Sequence, residues 1–141
     1  MNSITKRSEA DIQNAIRQLL ALQGYTVLEV GKARRKVQCT RCRAWSYPTG
    51  WQGNTIGTPD LYIHAPWWGM PVGIGLELKK PGGTVRKEQK NLADMNMTDI
   101  VRSEEEALIV VLNVERKFGS EEKAKRLEIL LNNVREFAKP R

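Results

Sequence analysis

Between residues 31 and 56 the chain has no acidic side chain, while six basic ones, Lys32, Arg34, Arg35, Lys36, Arg41 and Arg43, crowd into the same stretch. Elsewhere acids and bases nearly balance, so this segment carries most of the net charge of +7. An excess so localised is the footprint of a surface that meets a polyanion, most often nucleic acid, and the bland alternative is a solvated basic loop. No apolar run approaches the roughly 18 residues that a membrane-spanning helix needs. The opening stretch MNSITKRSEADIQ lacks an apolar signal core, so no secretory signal is expected. Cysteine is scarce: Cys39 and Cys42 are too few and too close for a disulfide framework, and a reducing cytoplasm is the simplest expectation.

What is present reads as one α/β domain over residues 1–141, long enough to bury a core. Ser8 with Asp11 resembles a capping box and opens a helix over 9–23, with Ile12, Ala15, Ile16, Leu19 and Leu20 as its apolar stripe and Gly24 as its stop. YTVLEV (25–30) reads as a strand, and 31–56 as a long loop or irregular hairpin. DLYIHA (60–65) and GIGLELK (73–79) both alternate, and their short connection favours an antiparallel hairpin. TVRKEQKNLADM (84–95) reads as a helix capped by Thr84, and TDIVRS (98–103) as a strand. Ser103 then caps a further helix, although its LIVVL centre has strand character. The segment 120–138 is an amphipathic helix with Ala124, Leu127, Leu130, Leu131, Val134 and Phe137 on its apolar side.

Charged residues inside the two central strands need an explanation, because desolvating an unpartnered charge is costly. Period-two geometry puts Glu77 and Lys79 on one face, and Asp60 reaches that face if its strand pairs alongside. Two carboxylates and an amine then converge, which a hard divalent cation between the acids would account for, with the lysine beside its bound water. Glu9 and Gln89 also lie on the inward faces of their helices, as acid and amide. Taken singly, each has an ordinary reading, as an acid favoured by the helix dipole and an amide reaching water.

In order along the chain, SEADIQNAIRQLL, GTPDLYI, GLELKKPGG and RKEQKNLA resemble the VRR-NUC domain, a branch of the PD-(D/E)XK nuclease superfamily. The pattern E…GxPD…ExK…Q falls on Glu9, Gly57 to Asp60, Glu77 to Lys79, and Gln89, and the likeness covers about residues 8–115. The resemblance implies a restriction-endonuclease-like mixed β-sheet core flanked by α-helices. It also implies Mg²⁺ or Mn²⁺ dependence and hydrolysis of DNA phosphodiesters. Glu9, Asp60, Glu77, Lys79 and Gln89 would be the catalytic set, with Glu9, Asp60 and Glu77 holding the metal. Stand-alone domains of this kind are common in bacteriophages, which would place the protein in the host cytoplasm, and some resemble dimeric resolvases of branched DNA. The basic insert at 31–56 and the helix at 120–138 depart from the pattern.

DNA is the expected partner, through Lys32, Arg34, Arg35, Lys36, Arg41, Arg43, Lys80, Arg86 and Lys87, with no membrane and no organic cofactor. A homodimer is expected, with the 120–138 helix and the Trp67–Trp68 turn as contact surface. The pair of tryptophans has a second reading, packing against a helix. Trp45, Tyr47 and Trp51 read equally as base-stacking groups or a satellite core. CTRC (39–42) has the spacing of half a zinc knuckle, but His64 is the one further ligand candidate and lies on the Asp60 face. Two free thiols without zinc are therefore the simpler reading, and two chains could pool four cysteines. His64 itself reads either as a site residue or as structural. Two other classes of function stay open: a DNA-binding module in which the acids merely pair with Lys79, and an assembly protein built on 120–138. Three acids for one lysine favour the metal site.

Overall fold

The computed structural model describes residues 7–30, 37–46, 59–69 and 72–139. Lys32, Arg34, Arg35, Lys36, Tyr47, Trp51, Gly57 and Thr58 lie outside the described residues. The fold is mixed α/β. Helix α1 (Glu9–Leu22) starts at a full capping box, with the Ser8 and Asp11 side chains each bonded to the other's backbone N–H. Gly24, at φ +89°, takes the left-handed turn that ends it. Strand β1 (Thr26–Glu29) follows, then a small hairpin of β2 (Val37–Gln38) and β3 (Trp45–Ser46). Next come β4 (Leu61–His64), a single helical turn at Pro66–Trp68, β5 (Ile74–Leu78), α2 (Lys87–Asp94), β6 (Asp99–Val101), α3 (Glu104–Phe118) and α4 (Glu121–Ala138).

The main sheet runs β1-β4-β5-β6, antiparallel at the first two pairings and parallel at the last. Leu61 and Ile63 stand opposite Leu76 and Ile74, so one face of the central pair is wholly aliphatic. That face receives Ile12, Ile16 and Leu20 of α1 and Leu108 and Val111 of α3, and α4 adds Leu127 and Leu131 outside α3. The LIVVL stretch is helical because Ser103 caps its start and its buried residues, Leu108, Val111 and Leu112, recur at helical spacing. Two expectations are corrected. The second helix begins at Lys87, and Thr84 does not cap it; the backbone is still extended at Arg86, whose N–H is bonded by the Gln89 side chain. Phe137 does not join the α4 core side and is 90% exposed; α4 runs antiparallel to α3, with Arg135 already paired to Glu105 in the first turn of α3, so its last turn extends past where α3 starts.

A buried carboxyl ties four segments together. Glu115 of α3 has no solvent exposure. It accepts from the Tyr25 hydroxyl at 2.9 Å, the Trp67 indole at 2.9 Å, the Trp68 indole at 2.6 Å and the Ser120 backbone N–H at 3.0 Å. Burial and this carboxyl push the Tyr25 pKa far up. Gly119 leaves the necessary room, since a Cβ there would collide with Glu115 Oε1. The two tryptophans are thus engaged with a helix of their own chain, the second of the two readings given for them, with Trp68 buried and Trp67 half-buried. Replacing Glu115 with Ala strands four donors, each worth about 1–3 kcal/mol when left unpaired in the interior. Urea unfolding of Glu115→Ala should therefore show a loss of at least about 3 kcal/mol, while Trp67→Phe, which removes one donor and keeps the ring, should lose less.

Candidate active site

Strand β5 is buried along its whole length, and its alternation therefore sends Glu77 into the interior on the face opposite Leu76 and Leu78. Carrying the β4–β5 register one residue further sets Asp60 directly opposite Glu77. Asp60 is fixed there by the backbone N–H of Leu78, 2.8 Å from its Oδ2. Lys79, one residue past the strand, brings its Nζ to 3.5 Å from Glu77 Oε1 with a side chain only 12% exposed. The same oxygen accepts from the Gln89 side-chain amide of α2. Gln89 is held at both ends, because its carbonyl oxygen accepts from Arg86 N at 3.0 Å. Helix α2 thus begins where this amide needs it to begin.

The second Glu77 oxygen, Oε2, is buried and meets no protein donor, and the Glu77 and Asp60 carboxyls lie close enough to share a proton. Burial, then the neighbouring Asp60 charge, push the Glu77 pKa up to about 7 against the opposing pull of Lys79. Asp60 is raised too, mainly by desolvation, with the Leu78 N–H and Lys79 acting the other way and Glu9 adding to the rise. Two carboxyls side by side, one with an unmatched oxygen and both resisting ionisation, form a pocket of excess negative potential.

Glu9 stands at the lip. It is exposed, and its Oε1 lies 3.4 Å from the Lys80 backbone N–H. Glu9, the first residue of α1, is close enough to the pair for its charge to act on Asp60, and among the described residues no group of three acids, histidines or cysteines is already gathered for a metal. The turn that carries Lys80 is clamped by Arg102, whose guanidinium donates to the Lys80 and Gly83 carbonyls at 2.9 and 3.0 Å. Sequence reasoning missed Arg102, since a lone arginine after a strand carries no pattern. Lys80, Arg86 and Lys87 are exposed around this rim, and Arg41 and Arg43 are exposed on the β2–β3 turn. His64 Nδ1 donates to the Val72 carbonyl at 2.8 Å, closing the connection between β4 and β5. Cys39 and Cys42 are exposed free thiols on the hairpin turn, apart from these acids in the fold.

A hard divalent cation fits this donor set. The acids offer carboxylate oxygens, the unpartnered Oε2 points to a missing cationic neighbour, and Lys79 neutralises at most one of two charges. Without such an ion the pair has a measurable signature. The folded chain keeps a proton here up to about pH 7 that the unfolded chain releases in the ordinary carboxylate range. Stability from this pair is therefore fully present at low pH and falls as pH rises through the folded pKa. In EDTA, wild type should lose more thermal stability between pH 5.5 and 8 than Glu77→Gln. At pH 8 the variant should melt several degrees higher, about 1 kcal/mol being worth roughly 3–5 °C in a domain of this size. Parallel melting curves would show that Glu77 ionises without strain.

No family model, curated protein or solved structure matches the chain, so the functional reading rests on its own residues and geometry.

Proposed function

We propose that this protein is a metal-dependent deoxyribonuclease, a hydrolase of phosphodiester bonds that acts as a structure-specific endonuclease on branched or duplex DNA, in the manner of a junction resolvase. The observation that carries the reading is the buried, unpartnered Glu77 Oε2 facing Asp60, with Lys79 and Gln89 on the other oxygen. Asp60 and Glu77 would hold Mg²⁺ or Mn²⁺, with Glu9 at the rim. Bound there, the ion would polarise a phosphoryl oxygen and lower the pKa of a water.

The chain's own groups have separable tasks. The Leu78 N–H and the Gln89 amide fix the two carboxyls, so that neither must reorganise when substrate arrives. The Lys79 ammonium, little exposed and already near the acids, stabilises the extra negative charge that builds on an attacked phosphate. Lys80, Arg86 and Lys87 on the rim receive flanking phosphates, and the basic residues of the 31–56 insert, Lys32, Arg34, Arg35, Lys36, Arg41 and Arg43, add further charge for a polyanion. The competing reading, a DNA-binding module with a buried ion pair, leaves the second acid beside Lys79 without a role.

Cleavage of linear duplex, flap, splayed and four-way-junction DNA, each with Mg²⁺ and with EDTA, separates the two. Asp60→Asn and Glu77→Gln should abolish cleavage and most metal affinity in calorimetry. Lys79→Ala should reduce cleavage by about 10² or more yet still bind the metal. All three should still bind DNA in EDTA. Full activity of Lys79→Ala, or metal binding and activity retained by Asp60→Asn, would sink the assignment. Lys80→Ala with Lys87→Ala should also flatten the log–log salt dependence of DNA affinity, by about 0.9 for each phosphate that is no longer neutralised.

A further inference from the structure

The β2–β3 hairpin has features that the acidic site does not use. Its strands are two residues each, and residues 38–46 are all exposed, Trp45 at 64%. A two-stranded hairpin is marginal in water by itself, and the described residues 38–46 bury no face of this one. Both cysteines of the chain sit in its turn with their thiols exposed, although unliganded cysteine is among the most buried residue types. The turn is wrapped around one of them. Cys39 N donates to the Ala44 carbonyl and Arg43 N to the Cys39 carbonyl, both at 2.9 Å, while Gln38 reaches the Arg43 carbonyl at 3.0 Å. Arg43 takes φ +58°, a left-handed conformation that a non-glycine residue adopts under constraint. The backbone N–H groups of Arg41 and Cys42 then point at the Cys39 sulfur. Donors aimed at a sulfur, two residues of spacing and a left-handed turn after the second cysteine together form a preorganised bidentate thiolate chelate.

Two sulfurs fill half of a tetrahedral site. Within the chain, the sole other imidazole or thiol is His64, engaged with Val72 in the main sheet. The missing pair has one source of matching chemistry, the same turn on a second copy. We propose that Cys39 and Cys42 are half of a tetrathiolate zinc site completed by a second copy of this chain, so that one zinc ion clasps two hairpins. Each thiol gives up its proton to solvent as its sulfur binds. The resulting site carries two negative charges, which the exposed Arg41 and Arg43 of both copies offset. The clasp would also brace the hairpin and leave the acidic sites of the two copies to act as a pair.

The full chain, purified in a phosphine reductant without chelator and given Zn²⁺, tests this with readouts independent of cleavage. Metal analysis should give half a zinc per chain, as four thiolates per ion require. Co²⁺ in place of Zn²⁺ should show thiolate-to-metal charge-transfer bands with tetrahedral d–d absorption. Sedimentation should show a dimer that a strong zinc chelator converts to monomer. Cys39→Ser and Cys42→Ser should each lose zinc and the dimer, with an unchanged far-ultraviolet circular dichroism spectrum because the hairpin lies outside the core. Asp60→Asn should retain zinc, which separates this site from the acidic one whether or not the chain cleaves DNA. One zinc per chain, zinc kept by Cys39→Ser, zinc lost in Asp60→Asn, a zinc-loaded monomer, no uptake by reduced thiols, or a Cys39–Cys42 disulfide persisting in the reductant would each overturn the proposal.

Discussion

A strand buried on both faces has no place for an unmatched carboxyl, and β5 carries one at Glu77. Much of the local architecture answers that constraint. Asp60 is brought opposite by the antiparallel pairing and pinned by a backbone N–H of the same strand. Lys79 turns back toward Glu77, and α2 starts at Lys87 because Gln89 must span Arg86 N and the Glu77 carboxyl. Even so, one oxygen is left over. A fold that arranges three elements around a buried acid and still leaves it short of one partner holds local strain of the kind expected at functional sites.

The comparison with Glu115 sharpens this. Both acids are buried on regular elements of the same chain. Glu115 meets donors from Tyr25, Trp67, Trp68 and Ser120 with both oxygens used, and it joins the residue before β1, the Pro66–Trp68 turn, α3 and the cap of α4. It is a structural tie. Glu77 has an acid for a neighbour and an oxygen with nothing to accept from. Burial alone does not separate a structural acid from a reactive one; the balance of donors around it does.

The chain also separates hard from soft chemistry in space. Oxygen donors gather inside the main sheet, where carboxylates suit Mg²⁺ or Mn²⁺, and sulfur donors lie on a peripheral hairpin, where thiolates suit zinc. Exposed basic residues occur beside both, at Lys80, Arg86 and Lys87 and at Arg41 and Arg43. In the proposed protein the hairpin is thus the element that would pair two copies, and the sheet the element that would cut.

Local chemistry was legible from the residues. Ser8 and Ser103 cap their helices, Gly24 ends one, and period-two alternation in 60–65 and 73–79 gives the central hairpin and the shared face of Asp60, Glu77 and Lys79. These signals are short in range: a cap, a turn or an alternation depends on neighbours within a few positions, and the sequence contains them all. The start of α2 was misread for the opposite reason. Thr84 is a good cap in isolation, but Gln89 is drawn to a carboxyl twelve residues earlier, and that attraction exists only once β5 is buried. Glu115 could not be read as a hub, because its donors lie 47, 48 and 90 residues away. The clamp of Arg102 on the Lys80 turn, and the approach of Glu9 to the Lys80 backbone N–H, likewise follow from how α1, β6 and that turn meet. The sequence by itself determined which side chains could do chemistry and which face each would take. Only the tertiary structure decided which of them converge, because burial and register between distant segments set the partner of every charge.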